Sequence, residues 1–181
     1  MLKRDCILNK NFTDLYNKFC PGPLTFILKL KKDSKISKFV TNKTKTLAVR
    51  FPSHPRAKSL LKILNYPLAA PSANISSRVS PVTKNHVKEE FGKKIKYIIE
   101  GGLSKIGLES TIINLIGKPE VLRIGSLDIN KLSKALKRKL FYRKKTYMKV
   151  PGQNRLHYSP GIPLRTVSYT HLRAHETNLD L

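Results

Sequence analysis

Small polar side chains that can bind a nucleotide follow an apolar stretch at residues 67–74. Residues 68–70 predict the end of a short buried strand, and Pro71 ends it because proline lacks a backbone donor. Ser72 and Asn74 come next, where hydroxyl and amide groups can contact phosphate or ribose oxygens. Because ligands bind at the carboxyl ends of strands in open α/β sheets, this turn is a candidate site. The same residue types also favour turns and helix caps for purely local reasons.

Two arginines at the ends of expected strands could supply positive charge to such a site. Arg50 ends a strand just before Pro52, and Arg123 ends an apolar strand just before Gly125. A planar guanidinium can hold a carboxylate or phosphate through two parallel hydrogen bonds. In a chain this basic, each could equally be a solvated surface residue.

Several other catalytic motifs are missing from the sequence. It contains no Gly-x-x-x-x-Gly-Lys-Ser/Thr phosphate loop and no dinucleotide fingerprint. Ser110 lacks the Gly-x-Ser-x-Gly context of a nucleophile. His171 and His175 have the spacing of a metal pair but no third ligand, and Cys6 and Cys20 lack zinc-ligand neighbours. The two thiols are therefore interpreted as reduced and incidental.

Alternating short helices and strands are expected to position these groups. Helical spacing and capping residues predict helices over residues 11–19, 57–64, 83–91 and 126–140. Apolar alternation and Ile/Val-rich runs predict strands over residues 24–30, 46–51, 68–70, 97–100, 110–115 and 120–124. The interleaving predicts the α/β class, with a twisted mixed sheet flanked by helices.

Composition sets broader limits on function. The 181 residues fit one domain, and the 40% hydrophobic content is that of a globular protein. No apolar run is long enough to span a membrane and no secretory signal is visible, so a cytoplasmic location is expected. The net charge of +25 would attract any polyanion, including RNA. The charge is spread, however, and aromatic residues are not interleaved as a stacking platform needs.

Six short segments in a fixed order resemble the YrdC/Sua5 family of threonylcarbamoyl-AMP synthases. They are Pro21-Gly-Pro-Leu-Thr25, Ala48-Val-Arg-Phe-Pro52 with His54-Pro55, Ala70-Pro-Ser-Ala-Asn74, Ser80-Pro81, Gly107-Leu-Glu-Ser-Thr-Ile112 and Val121-Leu-Arg-Ile-Gly125. The resemblance runs from about Cys20 to Gly125. It continues weakly at Pro151-Gly152 and at His157-Tyr-Ser-Pro160, which are similar to the interdomain linker of longer Sua5-type members.

The resemblance implies a YrdC-like fold and a nucleotidyltransferase. Such an enzyme joins L-threonine, bicarbonate and ATP into threonylcarbamoyl-AMP and pyrophosphate, for the t6A modification of tRNA beside the anticodon. Mg²⁺ would arrive with ATP, held by phosphates and water. The net charge, and not the resemblance, indicates a contact with tRNA or double-stranded RNA, for which the Lys-rich run at residues 137–145 is the best candidate.

The resemblance also assigns binding roles to particular residues. Those that it places against ATP are Thr46, Ser72, Asn74, Ser80 and Arg123. Those that it places against threonine are Arg50, Ala70 through its backbone, and Ser110. Alternatives remain for several of them: Thr46 is a good strand former, Asn74 can bond within its own turn, and Ser80 can cap the following helix. No catalytic side chain and no metal ligand is assigned.

The two ends of the chain depart from the family pattern. A Pro-Thr-Glu-Thr-x-Tyr-Gly-Leu segment and a Lys-x-Arg segment, which usually precede Pro21, are not in the sequence. We therefore expect residues 1–147 to be a YrdC-like domain without its N-terminal segment, and residues 148–166 to begin a Sua5-type linker. Residues 167–181 change in composition and are interpreted as a non-native tail.

Two other functions are compatible with the same sequence. The first is an RNA-binding module of YrdC-like fold without catalysis, which the charge favours. The second is a carbamoyl-transfer enzyme of the kind that carries a YrdC-like domain, such as the hydrogenase-maturation proteins. Weak ATP affinity with strong, salt-dependent RNA affinity would favour the binding module.

Overall fold

A four-stranded mixed sheet organises the protein. The structure, a computed structural model, describes residues 2–75 and 78–142. The strands are β1 (Leu24–Lys29), β2 (Thr46–Arg50), β3 (Thr111–Asn114) and β4 (Glu120–Arg123), in the order β2-β1-β3-β4. β1 pairs antiparallel with β2 and parallel with β3, and β3 pairs antiparallel with β4. This confirms the expected α/β class with a mixed sheet.

Five short helices accompany the sheet. They are α1 (Leu2–Asp5), α2 (Lys10–Phe19), α3 (Pro55–Ile63), α4 (Lys84–Phe91) and α5 (Ile129–Ala135). Four of them begin after a capping residue whose side chain accepts a hydrogen bond from a backbone N–H of the first turn. These caps are Asn9 for α2, His54 for α3, Thr83 for α4 and Asp128 for α5.

The main core lies between one face of the sheet and the pair α2 and α5. Phe26, at the centre of β1, is fully buried there and meets the Phe12 ring edge-on at 5.0 Å between centroids. Alternate residues of β1 point to the opposite face, where Ile27, Ile112 and Leu122 form a smaller cluster.

Two predicted strands are absent from the described residues. Residues 68–70 are irregular and exposed, and residues 97–100 are likewise irregular, with Tyr97 and Ile99 largely exposed. A strand persists only where a neighbour completes its hydrogen-bond ladder, and no described strand lies alongside either segment. Both predictions were wrong. The final helix was also overestimated, because it covers Ile129–Ala135 and not residues 126–140.

The helix over residues 57–64 exists as α3, but its inward packing is weaker than expected. Leu60, Leu61 and Leu64 are only partly buried, and α3 contains no fully buried residue.

The expected domain boundaries at 147 and 166 lie outside the described residues. Across the described part, no helix is both long and apolar enough to cross a membrane.

Both cysteines are free thiols, and Cys20 should react slowly with alkylating agents. Burial raises the pKa of Cys20 to about 11 because the thiolate is poorly solvated there. Since only the thiolate is nucleophilic, we expect its alkylation by iodoacetamide at pH 8 to be about a hundredfold slower than that of an ordinary thiol. The rate should rise steadily as the pH approaches 11. A rate that reaches a plateau near pH 9 in the Cys6→Ala variant would contradict this.

Candidate active site

One row of residues crosses all four strands on the second face of the sheet. The strand register places Arg50 of β2 opposite Thr25, Thr25 opposite Ile112, and Ile112 opposite Arg123 of β4. The two arginines therefore stand on the two edge strands. With three interstrand steps between them, their Cα atoms are about 14 Å apart. The row places positive charge at both sides of the sheet with small or apolar side chains between.

A cleft of about 300 Å³ is lined by both arginines. Its walls bring together three parts of the sequence: the strand ends, the turn that follows Ala70, and the segments around Ser80 and Glu109. The residues that line it are Arg50, Pro71, Ser72, Ala73, Ser80, Pro81, Glu109 and Arg123. Such a cleft, with small side chains on one wall and guanidinium groups on the others, suits an anionic ligand.

Arg123 is held in place by the backbone and side chain of Ser110. Its Nε donates to the Ser110 carbonyl oxygen at 3.0 Å, and its Nη2 donates to Ser110 Oγ at 3.1 Å. Nη2 also lies 3.6 Å from Glu109 Oε2, and the side chain is only 14% exposed. A guanidinium fixed by several contacts loses little conformational freedom when it binds an anion. Arg50, in contrast, is exposed, and its side chain makes no hydrogen bond or ion pair with the described residues.

Ser80 and Glu109 form the third wall of the cleft. Ser80 Oγ donates to Glu109 Oε1 at 2.7 Å, a distance typical of a charge-assisted hydrogen bond. The two residues are 29 positions apart in the chain. The contact therefore fixes the segment around Ser80 against the residues that lead into β3.

The backbone of Glu109 is held by the loop that follows β4. The Ser126 N–H donates to the Glu109 carbonyl at 3.0 Å, and Gly125 packs against the backbone of residues 109–111. Thr111 completes this junction, because its buried Oγ1 accepts from the N–H groups of Gly125 and Leu127 and donates to the Leu127 carbonyl. The start of β3 and the loop at 125–127 thus behave as one rigid unit.

The structure brings four of the eight predicted site residues to the cleft: Arg50, Ser72, Ser80 and Arg123. Ser110 does not line the cleft: it is only 4% exposed, and its hydroxyl oxygen lies 2.8 Å from Thr25 Oγ1. The binding role assigned to each of these residues stays a prediction.

The other three predicted residues lie outside the cleft wall. Ala70 directly precedes Pro71 of the wall and is exposed. Thr46 is at the opposite end of β2 from Arg50, about 13 Å away along the strand, and bonds to Thr44. Asn74 donates through Nδ2 to the carbonyls of Ile75 and Arg78, while its buried Oδ1 has no partner among the residues that the structure describes. The amide of Asn74 therefore serves its own turn as a donor.

Sequence reasoning missed two members of this arrangement, Glu109 and Thr25. Glu109 is the single acidic residue within the six recognised segments, which was a usable signal. Thr25 lies in one of those segments too, but its contact with Ser110 depends on the pairing of β1 with β3. That pairing cannot be read from spacing along the chain.

A second cavity and a search for metal ligands give no further candidate site among the described residues. A cavity of about 450 Å³ at the far end of β4 is lined by Ile116, Lys118, Pro119, Glu120, Phe141 and Tyr142. It contains none of the predicted site residues. No group of three or more His, Cys, Asp or Glu side chains that could hold a metal ion occurs in residues 2–75 and 78–142.

Comparison with known proteins gives consistent matches over most of the chain. Residues 1–125 match the family model for Sua5, YciO and YrdC proteins, which carries the description "Telomere recombination". The chain is 38% identical over 178 residues to a threonylcarbamoyl-AMP synthase of Schizosaccharomyces pombe, covering 91% of this chain and 44% of the relative. It is 39% identical over 152 residues to the synthase of Pyrococcus abyssi, covering 81% of this chain and 44% of that protein.

Solved structures agree with the sequence matches. The crystal structure of P. abyssi Sua5 complexed with L-threonine superposes with a TM-score of 0.72 at 35% identity, covering 88% of this chain and 45% of that one. The chain thus spans less than half the length of these curated relatives. The match from residue 1 also includes the first twenty residues, which the six segments do not cover.

Proposed function

Because the chain belongs to the Sua5/YciO/YrdC family, we propose that it carries a substrate-binding part of a threonylcarbamoyl-AMP synthase. The single observation that carries the proposal is the cleft in which Arg50 and Arg123 meet the small-residue turn at Pro71–Ala73. The names of the curated relatives and the threonine bound in the P. abyssi structure support the same reaction.

The proposed reaction has two steps, and neither needs a protein nucleophile. The free amine of threonine adds to bicarbonate and water leaves, which gives a carbamate. A carbamate oxygen then attacks the α-phosphorus of ATP, and the bond to the β-phosphate breaks to release pyrophosphate. Catalysis of this kind depends on holding the reactants in line and on stabilising negative charge. The cleft supplies the means for both in its guanidinium groups and fixed hydroxyls.

Each arginine has a distinct task in this proposal. Arg50, exposed and without a partner among the described residues, would bind the threonine carboxylate through both of its terminal nitrogens. Arg123, fixed against Ser110, would face the charge that develops on the nucleotide. Any Mg²⁺ would be held by phosphate oxygens and water, since Glu109 is the one carboxylate of the cleft wall.

The direct test is to mix the chain with ATP, threonine and bicarbonate and to follow pyrophosphate release. We expect release that requires all three reactants and that accompanies formation of threonylcarbamoyl-AMP, detected by mass spectrometry. Calorimetric binding of threonine and ATP provides a readout that does not depend on turnover. A chain that binds neither ligand would contradict the proposal.

The Arg50→Lys variant tests the threonine side of the cleft. Lysine keeps the charge but loses the planar fork, so we expect the KM for threonine to rise about tenfold while the KM for ATP stays within about twofold. Arg56→Lys, on the exposed start of α3, is the matched control and should change neither value. Equal increases in both KM values would show that Arg50 does not act on threonine in particular.

An RNA-binding module without catalysis is the competing function, and the net charge of +25 favours it. It predicts affinity for duplex RNA that falls steeply with salt, together with negligible ATP binding. A synthase that acts for tRNA modification would bind ATP and threonine at the cleft whatever its affinity for RNA. Parallel titrations with ATP and with duplex RNA at two salt concentrations therefore separate the two functions.

A further inference from the structure

The contact between Ser80 and Glu109 restricts what this wall of the cleft can bind. A serine hydroxyl has one proton, and that proton is donated to Glu109 Oε1. Glu109, as a carboxylate, can only accept. The wall therefore offers acceptor oxygens to the cleft: the lone pairs of Ser80 Oγ and those of the carboxylate. A phosphate oxygen, which is also an acceptor, would find a donor there only by taking the Ser80 proton away from Glu109.

The ligand group that fits must carry donors. Ser80 Oγ and Glu109 Oε1 lie 2.7 Å apart and both residues line the cleft, so they present neighbouring acceptors. In a ribonucleotide, the 2′- and 3′-hydroxyls are neighbouring donors on one face of the ribose. Carboxylates are well suited to such hydroxyls, as nucleotide-binding folds illustrate. A vicinal diol therefore matches this wall in both chemistry and spacing.

The local charge favours a neutral donor over a cation. Arg123 Nη2 lies 3.6 Å from Glu109 Oε2 and already offsets the charge of the carboxylate. Arg50 lines the same cleft and adds further positive charge. An ammonium group would be attracted by one carboxylate and repelled by two guanidinium groups, whereas a hydroxyl group avoids that repulsion.

On the basis of the proposed function, we propose that Ser80 and Glu109 bind the ribose hydroxyls of the nucleotide. Glu109 is then a specificity-determining residue that selects ribonucleotides, and Ser80 acts through an acceptor oxygen on the sugar. This narrows the expected contact of Ser80 with ATP to the sugar.

Affinities for ATP and for 2′,3′-dideoxy-ATP, measured by calorimetry on the 181-residue chain, test this assignment. We expect the wild-type chain to bind ATP about tenfold or more tightly than the dideoxy analogue. In Glu109→Gln an amide donor replaces one acceptor, so ATP should bind about tenfold more weakly while the analogue is unaffected. Glu89→Gln, exposed on α4, is the matched control and should behave as the wild type. Ser80→Ala, which keeps the carboxylate, should lower the ATP preference only partly.

Three results would overturn the assignment. They are equal wild-type affinities for ATP and the analogue, an equal loss of both in Glu109→Gln, and a loss of threonine affinity alone in that variant, which would place an ammonium group here. Thermal unfolding of each variant identifies a loss caused by misfolding, in which case Ser80→Ala decides. A preserved ATP preference without pyrophosphate release would contradict the proposed synthase reaction but not the ribose site.

Discussion

Under the proposed function, replacing Arg123 with alanine is expected to lower kcat/KM for threonylcarbamoyl-AMP formation by about a hundred- to a thousandfold. The guanidinium is largely buried, and the contacts from its Nε and Nη2 to Ser110 aim it at the cleft. A preorganised cation of this kind stabilises developing charge without reorganisation during the reaction. Most of the loss should appear in kcat, because charge grows on the nucleotide as the carbamate oxygen attacks.

The measurement is steady-state pyrophosphate release, with thermal unfolding of each variant beside it. Arg123→Lys serves as the conservative comparison: it keeps the charge but cannot reproduce both the Nε and the Nη2 contacts to Ser110, so an intermediate loss is expected. Arg138→Ala, at an exposed position beyond α5, is the matched control. A kcat that remains within about threefold of wild type in a folded Arg123→Ala variant would exclude charge stabilisation by this residue.

Replacing Gly125 with alanine is expected to destabilise the fold by about 3 kcal/mol or more. An added Cβ would collide with the Glu109 carbonyl oxygen and lie 2.5 Å from the Ser110 carbonyl carbon and the Thr111 nitrogen. All three are backbone atoms at the start of an interior strand. They cannot move aside, because Thr111 Oγ1 bonds the loop on the other side of the contact.

Urea denaturation followed by circular dichroism measures this loss directly. Gly101→Ala is the matched control, since its Cβ would meet only the exposed His54 ring at 3.3 Å, which needs to shift by no more than a few tenths of an ångström and can keep its cap on α3. We expect Gly101→Ala to stay within about 1 kcal/mol of wild type. Equal midpoints for the two variants would show that the loop moves away from β3 more easily than its contacts indicate.

The sequence predicted the regular elements best where their packing is local. The alternation of Leu24, Phe26 and Leu28 placed β1 correctly, because a strand buried on one face shows its period in any context. The strand prediction failed at residues 68–70, where an apolar run suggested a strand that has no pairing partner in the described part. An apolar run indicates burial, but only a neighbouring strand makes it part of a sheet.

The candidate site shows the same division. Arg50 and Arg123 could be chosen from their positions at strand ends, and both line the cleft. The expected location was wrong in one respect: the cleft lies at the amino ends of the parallel pair β1 and β3, where β2 and β4 end, and not after a strand at residues 68–70. The role of Glu109 as partner of Ser80 depends on a fold that brings residues 29 positions apart into contact.

The row from Arg50 through Thr25 and Ile112 to Arg123 fixes the two backbone positions from which the arginine side chains extend toward a ligand. Because two interior strands separate the arginines, the distance between their Cα atoms is set by backbone hydrogen bonding. The reach of the exposed Arg50 side chain then decides how far its guanidinium lies from that of Arg123, which Ser110 holds in place. Adapting this scaffold to a longer or shorter substrate would therefore begin with the side chain at position 50, while the cation at position 123 stays fixed.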